Sequence, residues 1–381
     1  MKTRVEFWSS TEYTTFLPAL VKWLEERGVK ARQCFQVSQS DYWAARGRLA
    51  RLALRARCYG LYPLRVVFRF LWRGRGRPAV GVVCTNTFFA PWVAMVAAGS
   101  RGTPVVNWVF DLFPDVLTVA GKVRGGSLSE RLLAGCVRST FHHAAANVFL
   151  GEHLLAHARK RFGHIPQAHI IPVGADAAPF RHHPPRERAS GTPATVLYCG
   201  NLGRMHEVDT VAAVIRGGLP AGIRMKFRGN GAGFRALEHS ITAATAGAVS
   251  LGGNIEGDDW VEAMQAADVG LVTLRPGAEG LVMPSKTYSA MVAGQALLAV
   301  CPENSDLADT VRRHDAGWVV RPGDTAGLKA ALAQIADDPT ELLRRRENSF
   351  NAGQGIYDQV AIAGLWAGLF ESIVAGRAKS R

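Results

Sequence analysis

The stretch Gly280-Leu-Val-Met-Pro-Ser-Lys-Thr-Tyr-Ser-Ala-Met-Val-Ala-Gly294 separates two short apolar runs, 268–274 and 296–300. Each run has the length of a buried strand, and the segment between them reads as a short helix, which makes a parallel βαβ unit. Pro284 suits a helix start because its missing N–H has no partner there anyway. Ser285 is a good cap, its hydroxyl accepting an orphan backbone N–H. Lys286 then falls in the first turn, where the helix dipole disfavours a cation. A cation at a positive helix end is consistent with an anion docking between them. A solvated lysine on an ordinary crossover explains the same stretch.

Upstream, strand 195–199 runs into Gly200-Asn-Leu-Gly-Arg-Met-His-Glu-Val-Asp209 and then a helix. Two glycines between strand and helix let backbone N–H groups approach a phosphate. Gly203 and Arg204 are the candidate contacts, Arg204 as a two-pronged clamp. Strand 223–228 ends in Gly229-Asn230-Gly231, and strand 249–251 in Gly252-Gly253-Asn254. Three successive strands ending in glycine turns on one sheet edge point to a ligand edge. The first half starts a second doubly wound α/β unit: strand 4–8, polar loop 9–15, helix 16–27, strand 29–35. Ligands bind at the C-terminal ends of such strands, which places Ser10, Thr11, Glu12 and Tyr13 at a mouth. The loop lacks G-x-G-x-x-G, against a dinucleotide cofactor. Strand 104–109 delivers Asp111 to the same edge, as a general base, a substrate ligand or a turn cap. The polar stretch 181–194 holds three of the 18 prolines and reads as a linker. It divides a first domain, 1–180, from a second, 195–356.

The 381 residues are 48% hydrophobic and 20% charged, as in globular proteins, and carry a net charge of +14 that calls for an anionic partner. Six scattered cysteines without a C-x-x-C pair suggest neither a zinc site nor a disulfide framework. Glu152, His153 and His157, the histidines at i and i+4, lack the H-E-x-x-H order of a zinc site and read as solvent-facing, so no metal is expected. The N-terminus does not read as a signal peptide, and no apolar run reads as long enough to span a bilayer. Segment 41–77 is the unusual one. Arginines 46, 48, 51, 55, 57, 65, 69, 73, 75 and 77 alternate with bulky apolar residues and face a single acid, Asp41. Arg48, Arg55, Arg65, Arg69, Phe70 and Trp72 are the candidate contacts to an anionic membrane, where each basic residue adds about 1 kcal/mol. An ordinary packed helix with a solvated basic face is the alternative; nucleic acid ranks below both.

Tyr198-Cys-Gly-Asn-Leu-Gly-Arg204, Arg228-Gly-Asn-Gly231, Asn107-Trp-Val-Phe-Asp-Leu-Phe-Pro-Asp115, Pro284-Ser-Lys-Thr-Tyr-Ser-Ala-Met-Val-Ala-Gly294 and Gly317-Trp-Val-Val-Arg-Pro-Gly-Asp324 together resemble a GT-B glycosyltransferase, close to glycosyltransferase family four. The resemblance covers nearly the whole chain. It implies two Rossmann-like domains facing across a cleft, with helix 357–376 joining the first. The donor, a nucleotide-diphosphate sugar and most simply a UDP-sugar, would sit on the second domain and a lipid-linked or other hydrophobic acceptor on the first. Arg204, Gly203, Ser285 and Lys286 would hold the diphosphate. Arg228, Gly229, Asn254, Ile255 and Ser289 would line the nucleoside and ribose site, and Glu279, Gly280 and Leu281 would meet the donor sugar. Ser289 stands where the family commonly has a ribose-binding glutamate, and Leu281 occupies the earlier position of the glutamate pair. Asp111 matches the place of the base in inverting relatives, whereas in a retaining enzyme it would hold the acceptor or the donor sugar. The chain has no D-x-D, so a metal-bound diphosphate is not implied. The expected protein is a cytoplasmic enzyme, peripheral on the inner face of the membrane, in polysaccharide or glycolipid assembly. A soluble transferase of a small natural product and an inactive GT-B-like binding subunit are the competing readings.

Overall fold

The computed structural model describes residues 3–45, 47–72, 79–189 and 191–379. Arg46, Arg73, Arg75 and Arg77 of the basic segment lie outside the described residues. The chain divides into two compact units, the first formed by 1–173, 280–282 and 359–381, the second by 174–279 and 283–358.

The first unit contains β1 (Arg4–Thr11), α1 (Leu17–Glu26), β2 (Lys30–Val37), α2 (Gln39–Ala44), α3 (Gly47–Ala56), a π-helical turn (Arg57–Leu61), α4 (Tyr62–Leu71), β3 (Val80–Cys84), α5 (Ala90–Gly99), β4 (Val105–Val109), α6 (Asp115–Val119), α7 (Leu128–His143), β5 (Ala146–Phe149), α8 (Glu152–Phe162) and β6 (Ala168–Ile170). Its sheet is parallel, in the order β2-β1-β3-β4-β5-β6. The strands β3 and β4 are buried on both faces, as their largely apolar runs require under helices on either side, and the one polar residue of β4, Asn107, donates to the Asn147 side chain. The first strand continues past Trp8 because Ser9 and Thr11 pair with Phe35 and Val37. The expected loop therefore begins later. Backbone pairing with a neighbouring strand outweighs the turn preference of two serines, and Ser9 satisfies its hydroxyl on the Thr11 carbonyl.

The second unit contains β7 (Ala194–Asn201), α9 (Asp209–Arg216), β8 (Ile223–Asn230), α10 (Gly233–Glu238), β9 (Val249–Gly252), α11 (Gly257–Gln265), β10 (Val269–Thr273), α12 (Lys286–Val292), β11 (Ala296–Val300), α13 (Asp306–Arg313), β12 (Gly317–Val320), α14 (Thr325–Asp337) and α15 (Pro339–Gly355). Its parallel sheet has the order β12-β11-β10-β7-β8-β9, so all six C-terminal strand ends share one edge. The stretch 181–194, expected as a linker, lies against this unit. Arg346 donates to the Arg186 carbonyl, Arg188 donates to the Ala336 carbonyl, and Pro185 packs so closely on Gly294 that a Cβ there would lie 2.8 Å from its ring.

The last helix, α16 (Gln359–Lys379), belongs to the first unit. Contrary to the sequence expectation, 359–377 is long and apolar enough to cross a membrane by length and composition, with a mean hydropathy of 1.4. Ile362, Ala363, Trp366 and Phe370 are nonetheless buried. The Trp366 ring lies edge-on to Phe7 and Trp108, at 5.5 and 5.0 Å between centroids, which makes this face part of the core.

Candidate functional site

In the second unit, residues converge on the C-terminal edge of β7 and β8. The Lys286 side chain reaches from the first position of α12 towards β7. Its ammonium donates to the Asn201 carbonyl at 3.2 Å and lies 3.3 Å from His206 Nε2. It also stands 5.2 Å from the centre of the Tyr198 ring, within cation–π range. His206 holds its Nδ1 2.9 Å from the Thr273 carbonyl. A carbonyl only accepts, so Nδ1 carries the proton and Nε2 is left to accept from the lysine. Burial and the nearby ammonium press the His206 pKa down to about 3, keeping the ring neutral. Burial likewise pushes Lys286 down to about 8. Among the described residues no carboxylate pairs with Lys286. A half-buried cation held by a carbonyl, a neutral imidazole and an aromatic face, and by no counter-charge, is poised for an anion from outside.

The glycines at this edge have a role the sequence did not reveal. The backbone of β7 and β8 stays paired through Gly200–Gly229 and Asn201–Asn230, so these are strand residues. A Cβ on Gly229 would lie 2.0 Å from the Gly200 carbonyl oxygen, and one on Gly231 2.5 Å from that of Leu202. A Cβ on Gly200 would lie 2.9 Å from Lys286 Cε. These glycines let two strands and a lysine stem pack together. Gly253 has open space before it.

The remaining predicted donor residues divide. Arg204 is exposed, and its carbonyl accepts from Arg275. The Arg228 side chain lies across Gly252, where a Cβ would strike its guanidinium. Asn254 is exposed, while Ile255 and Ser289 are half-buried. Ser285 has helical backbone angles and caps nothing, and α12 has only seven residues, so the expected serine cap is absent. The Glu279 carboxylate accepts from the Gly277 N–H. Gly280 and Leu281 belong to the first unit, where Leu281 is buried and its carbonyl accepts from Leu112 N–H. A fully buried leucine has no surface to offer a sugar.

In the first unit, Asp111 follows β4 and forms an antiparallel bridge with Val282. Thr85 fixes this corner: its hydroxyl oxygen accepts from the N–H groups of Phe110 and Asp111, and its hydroxyl lies 3.1 Å from the Asp111 carbonyl. Burial raises the Asp111 carboxyl to about 6, a value suited to a general base near neutrality. Tyr13 stacks on Phe110 at 5.3 Å. Glu12 accepts from Gln39 N–H, and Thr11 pairs with Asn86. Ser10 is buried, with its N–H on the Asn86 side-chain oxygen. It is core, contrary to the expected place at a mouth.

The basic segment also divides. Phe70 is 1% exposed and packs on Trp8 and Gly81, so it is not a membrane contact. Arg69 pairs with the fully buried Glu6, which also holds Arg32. A carboxylate inside β1 needs those guanidiniums, and this commits Arg69 to the fold. Arg65 donates to the Phe35 carbonyl at 2.8 Å. Arg48 and Arg55 stand exposed on α3, which buries no side chain at all. Leu49, Leu64, Phe68 and Trp72 are 82, 66, 67 and 50% exposed.

Two doubly wound parallel sheets, the second edged by close-packed glycines and a half-buried lysine, make the GT-B fold. Residues 193–338, all but 280–282 of them in the second unit, match the family described as Glycosyl transferases group 1. A curated relative, the "Probable glycosyltransferase WbjE" of Pseudomonas aeruginosa, is 25% identical over 244 residues, 61% of this chain and 59% of that protein. The match thus spans about six tenths of the relative's length. Solved structures similar over nearly the whole chain include HepE of Anabaena in complex with UDP (TM-score 0.66, 13% identity, 97% of this chain and 100% of that one). Sucrose-phosphate synthase of Thermosynechococcus elongatus gives a TM-score of 0.73 at 15% identity, covering 98% and 100%. WaaG, described as a glycosyltransferase involved in lipopolysaccharide biosynthesis, gives 0.67 at 14%, covering 96% and 99%. At these identities the structures establish the fold.

Proposed function

We propose that this chain transfers a sugar from a nucleotide-diphosphate sugar, a UDP-sugar in the simplest case, to a lipid-linked or other hydrophobic acceptor in polysaccharide or glycolipid assembly. The observation that carries this reading is Lys286, a half-buried cation with no carboxylate partner among the described residues, at the C-terminal strand edge of the second unit. A leaving diphosphate supplies the missing negative charge, and its departure is eased by fixed donors already in place. Arg204, exposed on the β7-to-α9 connection that also carries His206, supplies a second cation. Asp111, raised by burial, takes the proton of the acceptor hydroxyl. No metal is assigned a role.

Support also comes from the relatives: the match to group 1 glycosyl transferases, the name of WbjE, and the UDP in the HepE structure. The exposed apolar residues of α3 and α4 favour an enzyme working at the inner face of the membrane over one acting on small soluble products, for which those side chains would be buried. Titration calorimetry of UDP and a panel of UDP-sugars, with EDTA and with magnesium, tests the donor. Binding that survives EDTA and weakens about 10- to 100-fold in Lys286→Gln, the loss of one charge-assisted contact, is expected. Equal binding by the variant overturns the site. Donor bound but never transferred or hydrolysed, with any acceptor extract, would mark a binding subunit instead.

A further inference from the structure

We propose that a groove beside the edge strand β2 binds the phosphate headgroup of an anionic phospholipid, with the apolar stripe of α4 taking its acyl chains. The proposal rests on the membrane part of the reading above and not on sugar transfer.

The groove measures about 560 Å³ and is lined by Trp8, Arg32, Cys34, Arg65, Phe68 and Arg69, among others. Its chemistry is set from beneath. Glu6, fully buried in β1, accepts from Arg32 and Arg69 and from the Trp8 indole N–H at 3.2 Å. Among the described residues, three guanidiniums line the groove over this one carboxylate. The pairing spends Arg32 and Arg69 on Glu6 and leaves Arg65 as the guanidinium of the groove that meets no carboxylate among the described residues. Arg65 is exposed and lies over the Trp8 ring, its guanidinium 5.9 Å from the centre. Its hydrogen bond to Phe35 uses Nη1 and leaves Nη2 for a ligand. Planar guanidiniums match phosphate oxygens.

The rim distinguishes a lipid from a free anion. Phe68 both lines the groove and stands 67% exposed. Leu61, Leu64, Phe68, Leu71 and Trp72 recur at helical spacing along α4 and its flanks, and all are exposed. The opposite face of α4, Tyr62, Val66 and Phe70, is the one buried in the core. A charged recess opening directly onto an apolar stripe complements an amphiphile with a phosphate head. A soluble phosphate needs only the recess.

The test uses the full chain and dihexanoyl phosphatidylglycerol below its micelle concentration, titrated by calorimetry. One saturable site is expected. Arg65→Gln weakens it about tenfold or more, since a charge-assisted contact is lost. Glu6 keeps Arg32 and Arg69 in that variant, so the fold is retained, and circular dichroism checks this. Phe68→Ser weakens the lipid as well, whereas Arg224→Gln, an exposed charge on the other unit, leaves it unchanged. Absence of a saturable site, equal binding of dihexanoyl phosphatidylcholine, indifference to Arg65→Gln, or inorganic phosphate binding as tightly as the lipid would each overturn the groove. Flotation with phosphatidylglycerol vesicles separates the two readings. A chain that floats at low salt but ignores Arg65→Gln removes the groove and leaves the membrane; a chain that does not float removes both.

Discussion

Lys286 and His206 bind one another through a lone pair, not through opposite charge, and this makes their pH behaviour specific. With its pKa near 8, Lys286 is charged below that pH and neutral above it. Affinity for a nucleoside diphosphate is expected to be level up to about pH 7.5 and then to fall by up to tenfold per unit as the free lysine loses its proton. Calorimetry from pH 6.5 to 9.5 reads the slope, and Lys286→Gln abolishes it. His206 contributes to stability in the opposite range. Its folded value, about 3, lies below the ordinary 6.5, so the unfolded chain holds more protons between those limits. Stability is therefore expected to fall as the pH drops through that window. Denaturant midpoints from pH 7 to 4 should decline less steeply in His206→Gln. Asp111 titrates near 6. If it is the base, kcat/KM rises with pH to a plateau above about 6, and Asp111→Asn lowers turnover by about 10²- to 10⁴-fold and removes that limb. Unaltered turnover in Asp111→Asn would assign the proton to another group.

Helix α4 has two apolar faces, and only one serves the core. Replacing the exposed pair, Leu64→Asp with Phe68→Asp, is expected to leave stability within about 0.5 kcal/mol while abolishing flotation with anionic vesicles. Phe70→Ala removes a ring wedged between Trp8 and the bare Cα of Gly81, and is expected to cost about 3–5 kcal/mol. Chemical denaturation of the two variants side by side tells the faces apart. The sequence showed both faces as a single basic, apolar segment. Their separation depends on which side meets β1, β3 and α5, and composition carries no record of that.

Across the second unit as a whole, a largely buried ion pair joins segments distant in sequence. Arg346, on α15, donates to Asp268 at 2.9 Å, to the Gly294 carbonyl and to the Arg186 carbonyl, while Asp268 also accepts from Thr195 N–H. Arg346→Ala leaves Asp268 without its cation and is expected to cost about 3–5 kcal/mol, measured by denaturation. The same contacts explain why 181–194, proline-rich and polar, lies fixed on the unit although its composition reads as a linker. Its backbone is held by an arginine 160 positions later. The amino-acid sequence alone determined the order of strands and helices, the doubling of the α/β pattern and, in each unit separately, the strand edge that carries Asp111 or Lys286, because hydrophobic period and turn residues act over a few positions. Tertiary structure decided which groups serve that edge and which serve the core. Ser10, Leu281, Phe70 and Arg69 were drawn into packing, and His206 was brought to Lys286 across 80 positions, since burial and hydrogen-bond pairing are settled by neighbours that only folding supplies.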